Sequence, residues 1–295
     1  MMESRLINQR ARQALRGNVG MAIVIVFLIQ VIQGSVSSVF QLPAMATRIF
    51  SNAVNWESLP PQEWLPRVMD EQQIFQASTL GFLSTLVTSL LSVLFASYQS
   101  YAFQAPIRNR KLTLEEGIQG FREAGTFRAI RTALRTLLFT WLWSLLFVIP
   151  GIVKSYAYSQ AIYLVRDYRE LSPRQAVEES QELMRGRKGM LFGLHFRYWI
   201  LPILIFATIA VLAVFAVISF ITEQAGIGFL LIIPIFLGVL GLIVSFYYVS
   251  IKIAMVNAAF YETLMETRDS RQSYRGGPMR EEPRRYTDSY ERYNS

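Results

Sequence analysis

The residues best equipped for chemistry are Lys154, Tyr156, Tyr158, Ser159 and Gln160, which follow Pro150 and Gly151 in an otherwise apolar stretch. A lysine inside a membrane-length apolar run is costly and by default marks function. With tyrosines and an amide beside a helix break, it suits a cavity for an anionic head group or substrate. The competing assignment is a lysine snorkelling to the outer interface near the turn, with the tyrosines as interfacial anchors. Asn257 and Tyr261 lie four apart on one helical face and suit hydrogen bonds to a neighbouring helix. His195, beside Arg197, Tyr198 and Trp199, reads as an interfacial anchor rather than a proton relay.

What the chain lacks narrows its chemistry. It has no cysteine, which excludes disulfides, thiol catalysis and thiolate metal sites. A single histidine is too few for a histidine-built metal site. Every aspartate and glutamate falls outside the apolar runs, which weakens a proton- or sodium-coupled carrier. No phosphate loop, H-E-x-x-H or G-x-S-x-G occurs, and no carboxylate pair lies within an apolar run. The expectation is a protein that is not an enzyme and holds no cofactor or metal.

The elements that must position these residues are helices in a membrane. Of the 295 residues 17% are charged, against about 25% in soluble domains. The depletion is concentrated in five runs without an acidic or basic side chain: 19–40, 74–107, 136–153, 198–222 and 224–251. A bilayer core of about 30 Å takes roughly 20 apolar residues at 1.5 Å each, and four of the runs meet that length. The net charge of +8 has its explanation in membrane topology, in which basic residues gather in cytoplasmic loops, and no nucleic-acid partner is expected.

Loop charges give the orientation. Arg5, Arg10, Arg12 and Arg16 outnumber Glu3 before the first run and put the N-terminus inside. Ala44-Met45-Ala46 resembles a signal-peptidase site, but the run before it is longer than a signal peptide's and further spans follow. Residues 41–73 are acidic on balance and carry Trp56 and Trp64, as an outside loop with a short surface helix at 61–72 would. The connections 108–135 and 166–189 are rich in arginine and belong inside. The third run must therefore go out and come back, and Pro150-Gly151 supplies the turn. It predicts two short helices, 136–149 and 152–165, each roughly 21 Å long, as a compressed spanning hairpin or a re-entrant pair; the alternative is one long helix kinked at the proline. Residues 198–222 and 227–251 make the last hairpin, its second helix continuing past a snorkelling Lys252 to 265, and 266–295 reads as a disordered cytoplasmic tail.

The inside segments repeat. Arg16-Gly17-Asn18-Val19-Gly20-Met21 and Arg185-Gly186-Arg187-Lys188-Gly189-Met190 share R-G-x-x-G-M, each at the entrance to an outward helix. Thr113 with Glu116 makes a capping box, and Ser172 with Pro173 an N-cap followed by a first-turn proline. Ala176, Val177, Ser180, Leu183 and Met184 share one face of the helix that follows. The expected architecture is an all-α membrane protein of about six transmembrane helices in three hairpins. Each hairpin is preceded by an amphipathic interfacial helix, the first within 1–17, and 18–265 forms one polytopic domain.

The stretch from Pro150 to Ser159 resembles a family of uncharacterised multi-pass bacterial membrane proteins whose hallmark is P-G-I-x-K-x-Y-x-Y-S. Leu171-Ser172, Ala176, Glu179-Ser180 and Met184-Arg185-Gly186 match its following helix, and Asn257-Ala258-Ala259-Phe260-Tyr261-Glu262 its closing aromatic stretch. The layout is similar to the membrane domain attached to some bacterial glycerophosphodiesterases. The loop 41–73 and the tail after Glu266 depart from the family's pattern. The resemblance implies location in the bacterial cytoplasmic membrane and no particular activity. Together with the basic loops it leads to an accessory or scaffold that binds anionic lipids, a membrane-protein partner or a second copy of itself. The alternative is a transporter for an amphiphile or anion, with Lys154 lining the path.

Overall fold

A computed structural model describes residues 2–53, 71–222 and 225–274, and its regular elements are all helices. They are α1 (Met2–Leu15), α2 (Val19–Ala53), α3 (Glu71–Ile107), α4 (Leu114–Ala124), α5 (Thr126–Leu146), α6 (Val148–Tyr158), α7 (Ala161–Asp167), α8 (Pro173–Leu183), α9 (Lys188–Ile221) and α10 (Ala225–Tyr274). Four of them are long and apolar enough to cross a membrane, over Val19–Val39, Gly81–Ile107, Lys188–Ser219 and Gly228–Ser270. The middle helices α5 and α6 are not among the four.

The chain divides into two compact units. One is 27–96, the adjoining parts of α2 and α3. There a groove of about 400 Å³ is lined by Gln33, Gly34, Ser37, Thr88, Ser89 and Ser92. Small hydroxyl residues return their donors to the helix, as Thr88 does to the Ser84 carbonyl at 2.7 Å, so they present little unmet polarity to lipid. The other unit, 1–26 with 97–295, holds everything that follows.

Within that unit the break in the middle segment falls at Phe147, three residues before the expected Pro150-Gly151 turn. A proline ring collides with the carbonyl four residues back, here Leu146, and leaves it without its N–H donor; α3, α9 and α10 run through Pro106, Pro202 and Pro234, but here the helix ends and Pro150 falls in the first turn of the next, where proline fits. Pro150 is the third residue of α6. Phe147 is the only non-helical residue at the apex, and both its backbone groups are used: its N–H donates to the Trp143 carbonyl and its carbonyl accepts from Gly151 N–H, each at 3.1 Å. Gly151 is helical, so its role is not the turn dihedral that the sequence suggested. A Cβ there would lie 2.8 Å from the Ser144 Cα, so glycine lets α5 and α6 touch.

Three other boundaries differ from expectation. Helix α2 continues to Ala53 and α3 begins at Glu71, so the loop 41–73 is helical at both ends, and the surface helix proposed around 61–72 falls largely outside the described residues. Helix α10 runs to Tyr274 rather than 265 because Glu266 pairs with Arg10 and Arg268 with Glu179; the tail beyond 274 lies outside the described residues. Thr113 is the extended N-cap of α4 but makes no side-chain cap bond, and Glu116 turns instead toward Arg110. Ser172 does cap α8, reciprocally with Gln175, and Ala176, Val177, Ser180 and Met184 are buried. Among the described residues the glycines at positive φ are Gly17, Gly125 and Gly186. Each joins a short amphipathic helix (α1, α4, α8) to the long helix that follows.

Candidate functional site

The predicted polar cluster separates onto two faces. Lys154 and Tyr158 are four apart and share a side of α6, whereas Tyr156, two residues on from Lys154, points about 200° away. The Lys154 ammonium sits 4.8 Å from the Trp143 ring centre and 5.9 Å from that of Tyr158, and donates to Gln181 Oε1 at 3.3 Å. This is a cation held on aromatic faces. Its polar partner, Gln181, is on α8, the amphipathic helix of the arginine-rich connection 166–189. Ser155 and Ser159 donate to carbonyls of their own helix, at Ile152 and Tyr156. The kink between α6 and α7 is closed from α8: the Ser180 hydroxyl accepts from Gln160 N–H at 3.2 Å and donates to the Ala157 carbonyl at 2.8 Å.

On the other face Tyr156 meets His195 of α9, which meets Asn257 of α10. Tyr156 Oη lies 3.2 Å from His195 Nδ1, and His195 Nε2 lies 2.9 Å from Asn257 Oδ1. A neutral ring protonated on Nε2 satisfies both bonds, with Tyr156 donating and Asn257 accepting. Asn257 and Tyr261, adjacent on one helical face, therefore serve different partners: Tyr261 donates to Asp167 Oδ2 at 2.8 Å.

That last bond belongs to the most buried polar structure in the unit. Arg108, just past α3, donates to Asp167 of α7 at 2.6 Å and to Glu262 of α10 at 2.7 Å. Gln104 also donates to Glu262, at 2.7 Å, and accepts from Arg166 at 3.1 Å. Arg166 in turn donates to Glu123 of α4 at 2.7 Å and to the Tyr101 carbonyl at 3.2 Å. Arg166 and Asp167 are 3% and 1% exposed, so the network lies in a dry, low-dielectric setting. Burial disfavours the Arg108 charge, but the Asp167 and Glu262 carboxylates outweigh that and raise its pKa. Around the network Tyr163 stacks on Tyr261 at 4.9 Å and Tyr101 meets Phe121 edge-on. Gly120 is where Tyr101 packs and Gly117 where Tyr98 packs; a Cβ on either would overlap the ring. Among the described residues no group of three His, Asp or Glu side chains could hold a metal ion.

No family model, curated protein or solved structure matches the chain. The site therefore has to be argued from its own geometry. The sequence reading singled out Lys154, His195, Asn257 and Tyr261 but passed over Gln104, Glu123 and Glu262 as members of a site, and counted Arg108 and Arg166 only as loop charges. One signal was present: Arg166-Asp167 follows an apolar run without a break, and Glu262 stands among apolar residues. A carboxylate so placed needs a buried partner.

Proposed function

We propose that the chain is a non-enzymatic multi-pass protein of the bacterial cytoplasmic membrane, both ends inside, that acts as an accessory or scaffold by holding lipid or a protein partner on its inner face. The observation that carries this reading is that the groups most capable of chemistry are committed to one another. Lys154 is bound by Trp143, Tyr158 and Gln181, His195 by Tyr156 and Asn257, and Asp167 and Glu262 by Arg108. Such an arrangement makes a rigid platform of the junctions between helices. Anionic lipids are drawn to its arginines by about 1 kcal/mol for each basic residue near the surface.

The orientation belongs to the same proposal. Asn18 accepts from Leu112 N–H, Arg108 pairs with Asp167, and Arg10 with Glu266. These contacts bring the basic segments together, and the positive-inside rule assigns such segments to the cytoplasm. In this reading α2, α3, α9 and α10 cross the bilayer, and α5 with α6 and α7 forms a third, short hairpin that enters and leaves from inside. Membership of the P-G-I-x-K-x-Y-x-Y-S family is proposed with it.

The test is mass spectrometry of whatever accompanies the protein extracted in native-lipid discs at its endogenous level. A stoichiometric protein or lipid companion, retained by Lys154→Met, is the expected outcome. An amphiphile or anion enriched with the native chain and lost from a normally folded Lys154→Met variant would instead establish the transporter reading.

A further inference from the structure

A cavity of about 590 Å³ opens among α1, the turn after α3 and the distal part of α10, within the roughly 300–1,000 Å³ range of small-molecule sites. Its charged lining is Arg10, Arg16, Arg108, Arg110, Glu262 and Glu266. Both glutamates are already satisfied, Glu266 by Arg10 at 2.7 Å and Glu262 by Arg108 at 2.7 Å. Arg110 reaches an acid only at 3.9 Å, on Glu116, and Arg16 makes no ion pair among the described residues. The lining thus carries four arginines against two glutamates, and Arg16 and Arg110, whose distant partner Glu116 lies outside the lining, are both exposed at its rim.

The backbone aims them. Helix α3 ends with Asn109 at φ 62°, and the two reversed bonds of a Schellman motif follow: Arg110 N–H to the Ala105 carbonyl at 2.9 Å and Asn109 N–H to the Pro106 carbonyl at 3.3 Å. That reversal leaves Arg110 in the cavity lining beside Pro106 and Ile107. Arg16 precedes the reversal at Gly17, φ 82°. Asn18 joins the two segments by accepting from Leu112 N–H at 3.1 Å while donating to the Ala14 carbonyl at 2.9 Å. Asn18 immediately precedes the span Val19–Val39, and Arg108 immediately follows Gly81–Ile107. The cavity is therefore at the depth where lipid phosphates lie. Two guanidinium forks there match the geometry of a phosphate.

We propose that this cavity binds a phosphate-bearing anion at the membrane surface through Arg16 and Arg110. Arg10 and Arg108, each neutralised by its own carboxylate, form fixed walls. The phosphate is that of a lipid head group or of a soluble phosphate monoester. This deepens the reading that the inner face holds lipid, and rests on it.

The test uses the full chain purified in detergent, titrated with dioctanoyl phosphatidylglycerol and followed by native mass spectrometry, with glycerol 3-phosphate as the soluble arm. One phosphatidylglycerol should bind per chain, at least about tenfold more weakly in R16Q/R110Q, as loss of charge-assisted contacts implies. R5Q/R131Q, which removes the same charge outside the cavity, should change binding less than about twofold. Both side chains at the rim are exposed, so the double variant is expected to melt like the native chain; if it does not, Arg16→Gln alone carries the comparison. Competition by glycerol 3-phosphate at concentrations like those of the lipid would assign the soluble source, and its failure the lipid. Equal weakening by both double variants would overturn the site while sparing the inner-face reading. No binding of either probe to the native chain would overturn both.

Discussion

Asp167 accepts Arg108 and Tyr261 on a single carboxylate oxygen, and Arg108 spreads its fork between Asp167 and Glu262. Removing one partner of a buried pair costs about 3–5 kcal/mol, because the remaining charge is left without compensation. Asp167→Asn should fall near the lower end of that range, since Glu262 still faces Arg108, and thermal unfolding in detergent would read it as a clear loss of melting temperature. The exposed pair Arg174–Glu178, with side chains 76% and 56% accessible, provides the control: Glu178→Ala should leave the melting temperature unchanged. A melting temperature unchanged in Asp167→Asn as well would mean that water reaches the network. The contrast also marks what a sequence can convey. Lys154 announces itself because a charge interrupts an apolar run, and the face of α8 because its spacing is helical. Asp167 and Glu262 signal only that a buried partner is needed, because the partner, Arg108, comes from the end of a different helix.

At the scale of elements, α8 was legible because its periodicity and its Ser172 cap agree, and its face packs as its spacing implies, whereas the capping box expected of Thr113 and Glu116 does not form. The position of the middle break was not legible, since the residue that disfavours a helix and the residue that leaves it need not be the same. Pro150 disfavours a continuous helix, and the break falls three residues earlier, at Phe147. The R-G-x-x-G-M repeat likewise hides a division of labour between its glycines. Gly17 and Gly186 stand at φ 82° and 73°, whereas Gly20 and Gly189 have no positive φ and nothing within 4 Å of an added Cβ. Gly186→Ala should therefore destabilise by about 1–2 kcal/mol, the cost of a left-handed residue with a Cβ. Gly189→Ala, inside α9, should be neutral or stabilising by about 0.5–1 kcal/mol. Unfolding of the two variants side by side checks this, and equal losses would show that the motif is conserved between repeats by packing instead of by backbone conformation.

For the whole molecule the open question is how deep the middle hairpin reaches, and three observations bear on it together. From Arg135, the last charge on the way out, to the apex at Phe147 is about 18 Å of helix, and from Phe147 back to Lys154 about 10 Å. Lys154 is held by Gln181 of α8, in the arginine-rich connection 166–189. Leu145, Phe147, Val148 and Ile149 at the apex are 67–78% exposed and uniformly apolar, which suits hydrocarbon and not water. On the orientation proposed above, an apex so near its own entry side would stop short of the far face of a core about 30 Å thick. It can do so because its one non-helical residue has both backbone groups bonded and its third helical position, a proline, brings no N–H to satisfy. The chain contains no cysteine, so single replacements report without background. Arg5→Cys and Ser270→Cys should react with a membrane-impermeant maleimide only from the cytoplasmic side of oriented vesicles. Phe147→Cys should react from neither side, yet be modified by a small membrane-permeant reagent. Labelling of Phe147→Cys from the periplasmic side would make the hairpin a full pair of crossings, and opposite accessibility of Arg5→Cys and Ser270→Cys would overturn the placement of both ends inside.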